Sequence, residues 1–119
     1  MADLTRKEVI MILATTTNAR LAGVDLSGLD LSSLNFAGAD LIRANLSGAN
    51  LSNAYMRGAH IEDANLERTL LINVNLKEAS LKGSNLKGAD LTNANLTDAN
   101  LFGADLSGAK MAGAKGVVR

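Results

Sequence analysis

The stretch ADLTNANLTDANLFGADLSGA, residues 89–109, puts a leucine on every fifth residue: Leu91, Leu96, Leu101 and Leu106. An alanine stands two positions before each of them. An α-helix repeats every ~3.6 residues and a strand every ~2, so neither keeps every fifth side chain on one face. The phase extends outward from this stretch in both directions. From Leu21 to Met111 there are 19 such centres, of which 15 are Leu and the others are Phe36, Met56, Ile61 and Met111. The residue two before the centre is Ala in 13 of 19, and the residue just before it is Asn or Asp in 13 of 19. Two after it stands Gly in 10 and Asn or Asp in five more.

Each unit therefore has two inward positions separated by one outward residue, which is local strand alternation. The Gly, Asn or Asp that follows tolerates positive φ and turns the chain through a corner. A chain that repeats this must coil, with successive turns stacked at the strand spacing of roughly 4.8 Å. Alanine at one inward position keeps the centre from overfilling. Five residues are then one side of a solenoid.

Charges indicate how many sides close a turn. At a spacing of 20, five opposite pairs fall in column: Arg20 with Asp40, Arg43 with Asp63, Glu62 with Lys82, Glu67 with Lys87, and Asp90 with Lys110. Two like pairs occur, Arg57 with Lys77 and Glu78 with Asp98. A spacing of 15 gives two opposite and three like pairs. Like charges directly opposed in a sheet are destabilising, so the count favours four sides. Asn and Asp recur in outward columns such as Asp25, Asn45, Asn65, Asn85 and Asp105. Stacked amides are expected to hydrogen-bond up such a ladder.

The tandem A-(N/D)-L-x-G motif resembles that of the pentapeptide repeat family. The resemblance implies an all-β solenoid, a right-handed quadrilateral β-helix with four pentapeptides and 20 residues per coil. Over residues 19–113 this implies about 4.75 coils, a rod of roughly 23 Å at the sheet spacing. Residues 1–18 read as an N-terminal capping helix and linker, and 114–119 as a C-terminal tail. Thr5 and Glu8 have capping-box spacing, and Val9, Ile12, Leu13 and Thr16 share one helical face. A helix over about 5–15 is predicted to cover the first coil, whose edge would otherwise invite pairing. The other end has no such cover: Gly116 stands where a centre is due, followed by Val117 and Val118. The better-understood members of the family that this chain resembles often dimerise through their C-terminal end, and the resemblance implies Met111, Val117 and Val118 as the contacts of an end-to-end homodimer.

The composition narrows the function. There is no Cys, Trp or Pro, and aromatic residues are 3% of the chain. No disulfide and no thiolate metal site is available. Twelve basic and twelve acidic residues cancel, which argues against nucleic acid as a partner. The apolar run VIMILA, residues 9–14, is too short for a secretory signal or for the ~20 residues of a membrane span. The expected location is the cytoplasm, with no membrane partner.

Neither catalysis nor a cofactor is expected. His60 lies one turn above Asp40, but nearby Ser and Thr stand on a convex surface, and catalytic geometry needs a pocket. One histidine is too few for a usual zinc site. No phosphate-loop motif is present. The departures from the repeat are more informative. Leu70 and Ile72 flank the inward Leu71, both outward and apolar, and form a candidate protein-binding site. Tyr55 with Arg57, and Lys77 one turn along, make a basic-aromatic spot. Phe102 shares a face with Ile42. The expectation is a non-enzymatic module that binds another protein. The alternative, from one branch of the family, is a DNA mimic acting on a type II topoisomerase; zero net charge and a short rod disfavour it.

Overall fold

A computed structural model describes residues 2–117 of the chain. It opens with helix α1, Arg6–Thr15. Thr5 caps it: the Thr5 hydroxyl accepts from the Glu8 amide at 3.2 Å and the Glu8 carboxylate accepts from the Thr5 amide at 3.0 Å. These two bonds satisfy amides that the first turn leaves without intrahelical partners. Val9 is fully buried, and Leu4, Ile12 and Leu13 pack against the core. Thr16 departs from the predicted apolar face. It is the C-cap, with extended backbone at φ −144° and ψ 144°, and it is exposed. The helix ends one residue before it could turn that side chain inward.

From residue 19 onward the chain winds in five-residue sides. Sixteen parallel bridges join residues 20 apart, from Arg20 with Asp40 to Asn95 with Lys115. Twenty residues per turn is four sides, numbered here from residues 19–23 (side 1), 24–28 (side 2), 29–33 (side 3) and 34–38 (side 4), each continued at intervals of 20. Every strand is reduced to one bridged residue, because each side turns a corner before a ladder can lengthen. Hydrogen bonds run up every side. The Leu46 amide donates to the Asn65 carbonyl at 2.7 Å, Gly48 to Glu67 at 2.9 Å, and Asn65 back to Ala44 at 3.0 Å.

All 19 corners have positive φ, from +56° at Asp63 and Arg68 to +72° at Gly103 and Gly113. Around Gly48 the Ala49 amide donates to the Leu46 carbonyl at 3.0 Å, the hydrogen bond and sign of φ of a type II turn. The repeat foresees Gly, Asn or Asp here, yet Ser33, Arg43, Arg68 and Glu78 adopt the same backbone. The left-handed region costs an ordinary residue roughly 1–2 kcal/mol, and the ladder bonds on either side hold each corner in place. At Gly38 a side chain meets a second obstacle: a Cβ there would collide with the Asn18 side-chain oxygen, which would have to move aside.

The inward Leu and Ala fill the coil. Leu21 through Leu96 are buried at every centre, with Phe36, Met56 and Ile61 among them. Two polar residues occupy the Ala position and are satisfied there: the Thr69 hydroxyl donates to the Leu46 carbonyl at 2.9 Å and the Ser84 hydroxyl to the Leu81 carbonyl at 2.7 Å. The outward Asn and Asp do not form the expected amide ladder. At all thirteen positions the side-chain Oδ1 instead accepts from the amide two residues on, as Asn65 does from Glu67 at 3.0 Å. The local Asx bond supplies an acceptor to an outward-facing amide that the ladder leaves without one.

The charge pattern also needs correction. The spacing of 20 is the register, but none of the five opposite pairs it aligns closes to within 4.0 Å among the described residues. The close pairs between coils are diagonal, Arg57 with Glu78 at 2.6 Å and Lys87 with Asp105 at 3.7 Å.

Candidate functional site

With the interior filled, the rod meets other molecules through four flanks and two ends. The candidate residues lie on three different flanks. Leu70 and Ile72 are on side 3, Tyr55 and Arg57 on side 4 of the preceding coil, and Phe102 on side 1, across the rod from side 3. The structure does not bring them into one site.

Side 3 is the most distinctive. Leu70 bridges Asn50 below and Asp90 above. Its backbone is fully engaged: its amide donates to the Ala49 carbonyl at 2.9 Å and its carbonyl accepts from Leu51 at 2.7 Å. Its neighbours in the column make the Asx bond, Asn50 to the Ser52 amide at 3.0 Å and Asp90 to the Thr92 amide at 3.0 Å. Leucine cannot, so the Ile72 amide has no acceptor among the described residues. Leu70 itself is 41% exposed. Ile72, expected to be equally open, is half-buried, set against the sheet between Ser52 and Thr92.

The basic-aromatic spot on side 4 is electrostatically quenched. Tyr55 is exposed, but the Arg57 guanidinium is paired with Glu78 of the next coil, Nε donating at 2.8 Å. That carboxylate raises the guanidinium's pKa further, with a smaller contribution from the Tyr55 hydroxyl. Phe102 is 74% exposed on side 1, the most open large apolar side chain among the described residues. Sequence reasoning missed Ile10 and Met11, which stand exposed on the outer face of α1. Reading one buried stripe on the helix contained the signal, since neither residue lies on it.

His60 is exposed on side 1 and approaches Glu62 at 3.7 Å. It lines a shallow depression of about 420 Å³ with Asn18, Arg20, Gly38, Asp40 and Ile42. Among the described residues, no three His, Cys, Asp or Glu side chains are grouped to hold a metal. No described helix is long and apolar enough to cross a membrane.

The two ends differ. At the first coil, the Asp3 amide donates to the Asp25 carbonyl at 2.7 Å and the Asp3 carboxylate accepts from the Asp25 amide at 2.9 Å. Arg6 donates to the carbonyls of Asp30 at 2.7 Å and Ser32 at 3.3 Å. At the last coil the amides of Leu101, Gly103, Leu106, Gly108, Met111 and Gly113 donate to no described residue. Leu101, Leu106, Met111 and Val117 are half-buried there. Val118, the remaining expected contact, lies outside the described residues.

These features define a class: a four-sided β-solenoid of five-residue steps whose accessible chemistry is on its surface. The chain belongs to the pentapeptide repeat family, whose sequence pattern (pentapeptide repeats, 8 copies) matches residues 19–58, 49–88, 59–98 and 79–115. Members of that family are right-handed quadrilateral β-helices. The chain is similar to HetL, a pentapeptide repeat protein involved in heterocyst differentiation regulation from the cyanobacterium Nostoc sp. strain PCC 7120. Identity is 27% and the TM-score 0.57, over 87% of this chain and 63% of HetL, so the chain spans less than two thirds of that relative. It is also similar to a pentapeptide repeat protein of the Arabidopsis thaliana thylakoid lumen, with 31% identity and a TM-score of 0.53, over 78% of this chain and 70% of that one. No protein of curated function matches the sequence.

Proposed function

We propose that the chain is a non-enzymatic, rigid module of the cytoplasm that binds another protein through side 3, at Leu70 and Ile72. The observation that carries this is Leu70 itself. It interrupts a column of Asx turns, leaves the Ile72 amide without an acceptor among the described residues, and exposes an apolar side chain where Asn50 and Asp90 are polar. Tyr55 interrupts its own Asx column on side 4 in the same way, but the Arg57 beside it is paired with Glu78; beside Leu70 stands the apolar Ile72, and an apolar pair of this kind supports a contact outside the chain. The Ile72 amide supplies a directional donor beside the apolar patch, as protein interfaces use. A regulatory role through such a contact would be in keeping with the description of HetL. Affinity capture from the native lysate, compared with Leu70→Asp/Ile72→Asp, tests the face. Loss of specific captured proteins in the variant is expected; an unchanged set removes side 3 from consideration.

Topoisomerase inhibition by DNA mimicry is the weaker reading, because basic and acidic residues balance at twelve each and a mimic needs a negative surface. Inhibition of gyrase supercoiling at low protein concentration would reverse this ranking. We also propose that two copies meet end to end around Met111 and Val117, where apolar side chains are half-exposed. Light scattering over a dilution series tests it: a mass fixed at one chain excludes the dimer.

A further inference from the structure

We propose that the N-terminal segment is a surrogate coil that prevents head-to-tail polymerisation of the chain, and that loosening it lets the last coil of one copy dock on the first coil of another. The starting point is the hydrogen-bond pattern between internal coils. On each side, the upper coil offers carbonyls just before and just after its centre, and the lower coil donates from the centre and the corner. Leu46 to Asn65 and Gly48 to Glu67 are one such pair of bonds. The upper coil returns one amide, as Asn65 does to Ala44.

The first coil has no described coil beneath it, and backbone and side-chain atoms of Asp3 and Arg6 take that place. The Asp3 amide fills the donor position beneath the Asp25 carbonyl, and the Asp3 carboxylate receives the Asp25 amide as a carbonyl would. Arg6 reaches both carbonyls of side 3, Asp30 and Ser32, with two nitrogens of one guanidinium. An Asp30 carboxylate oxygen lies 3.5 Å from the same guanidinium. Two of the three ladder bonds are therefore reproduced on side 2, at the Asp25 carbonyl and amide, and two on side 3, at the Asp30 and Ser32 carbonyls. Helix α1 then crosses the mouth of the coil, with Val9 buried beneath it and Leu13 and Thr16 lying near Asn35 and Ala37 of side 4.

The last coil presents the complement. Its amides at Leu101, Gly103, Leu106, Gly108, Met111 and Gly113, which donate to no described residue, are the donors that the first-coil carbonyls would accept. Both edges have the same five-residue spacing and the same strand direction, so a second copy continues the register already used by every internal coil pair. The end-to-end dimer proposed above pairs this edge with its own copy and closes at two chains, so it competes with head-to-tail docking for the last coil. The head-to-tail contact is heterologous and does not close, so it produces filaments. An edge of this kind needs explicit blocking in a soluble protein. Asp3 and Arg6 supply that block without belonging to the repeat.

The test uses the full chain. Asp3→Ala/Arg6→Ala removes the side-chain part of the surrogate coil and leaves the apolar core untouched. Light scattering and electron microscopy of the parent should give a mass fixed at one or two chains. The double variant should show weight-average mass rising by tenfold or more with concentration, without a plateau, and rods of constant width. Adding Leu106→Lys, which sets a charge inside the docking edge, should return the variant to the parent's mass. If the double variant loses the parent's circular dichroism, the single variants Asp3→Ala and Arg6→Ala decide the matter, each expected to lower the concentration at which mass begins to rise. A folded variant whose mass stays fixed, or whose assembly stops at two copies, overturns the proposal, as does growth that Leu106→Lys leaves unchanged.

Discussion

Truncating a core leucine should cost very different amounts at different heights in the rod. Leu26, Leu46, Leu66, Leu86 and Leu106 form one inward column on side 2. The first four are fully buried and Leu106 is half-exposed. Leu66→Ala removes three carbons from between two packed coils. The backbone there is clamped, with the Leu66 amide bonded to Asn85 at 2.7 Å and the Asn65 amide to Ala44 at 3.0 Å. Coils so tied cannot close over the void, so the cavity term adds to the transfer term. Leu→Ala substitutions span about 2–5 kcal/mol, and this site belongs in the upper half, roughly 3–5 kcal/mol. Leu106 has no described coil beyond it and its amide donates to no described residue. Its void would open to water, leaving about half of a transfer term of roughly 1.5–3 kcal/mol. Leu106→Ala should therefore cost only about 1 kcal/mol. Urea unfolding with m-values measures both. Equal costs at the two heights would refute the picture of a column in which each coil is held by its neighbours.

Other outcomes follow from the corners, the Asx turns and the cap. Ser33→Gly should stabilise by roughly 0.5–1 kcal/mol, because relief of the left-handed backbone outweighs glycine's entropy. Gly38→Ala should destabilise more than Gly48→Ala, since only the former would meet a side chain, that of Asn18; thermal midpoints compare all three. The carboxyls of Asp25, Asp30, Asp90 and Asp105 are held below the ordinary aspartate range by hydrogen bonds from Ser27, Ser32, Thr92 and Ser107. A carboxyl lowered in the folded state adds stability above its unfolded pKa and loses it as pH falls through the folded value. The midpoint should accordingly drop below about pH 4, and changing the four to Asn should flatten that drop, since Asn makes the same turn at Asn45 and Asn50. Thr5→Ala should cost about 1 kcal/mol by removing the helix cap, read as a lower midpoint of unfolding.

The sequence made the repeat legible because each step is local. Leu at the centre, Ala two before it and Gly after it specify inward, inward and turn without any distant contact. The capping box at Thr5 and Glu8 was legible for the same reason, as it spans three residues. The outward Asn and Asp positions were located correctly, but their bonding was not. Column arithmetic places Asn45 beneath Asn65, yet the nearest acceptor-seeking group is the amide two residues on, so each side chain turns to its own strand. Ion pairs behaved likewise, since Arg57 is long enough to reach diagonally to Glu78.

By itself, then, the sequence determined the side length, the inward set, the corner positions and Leu70 as an exception to them. The tertiary structure decided what depends on neighbouring coils. It buried part of Ile72, paired Arg57 with Glu78, distributed the candidate residues over three flanks, and turned Asp3 and Arg6 into the closure of one end. The physical reason is reach: a five-residue side specifies its own geometry, but exposure and pairing are set by chain 15 to 25 residues away, where only the stacking of coils brings groups together.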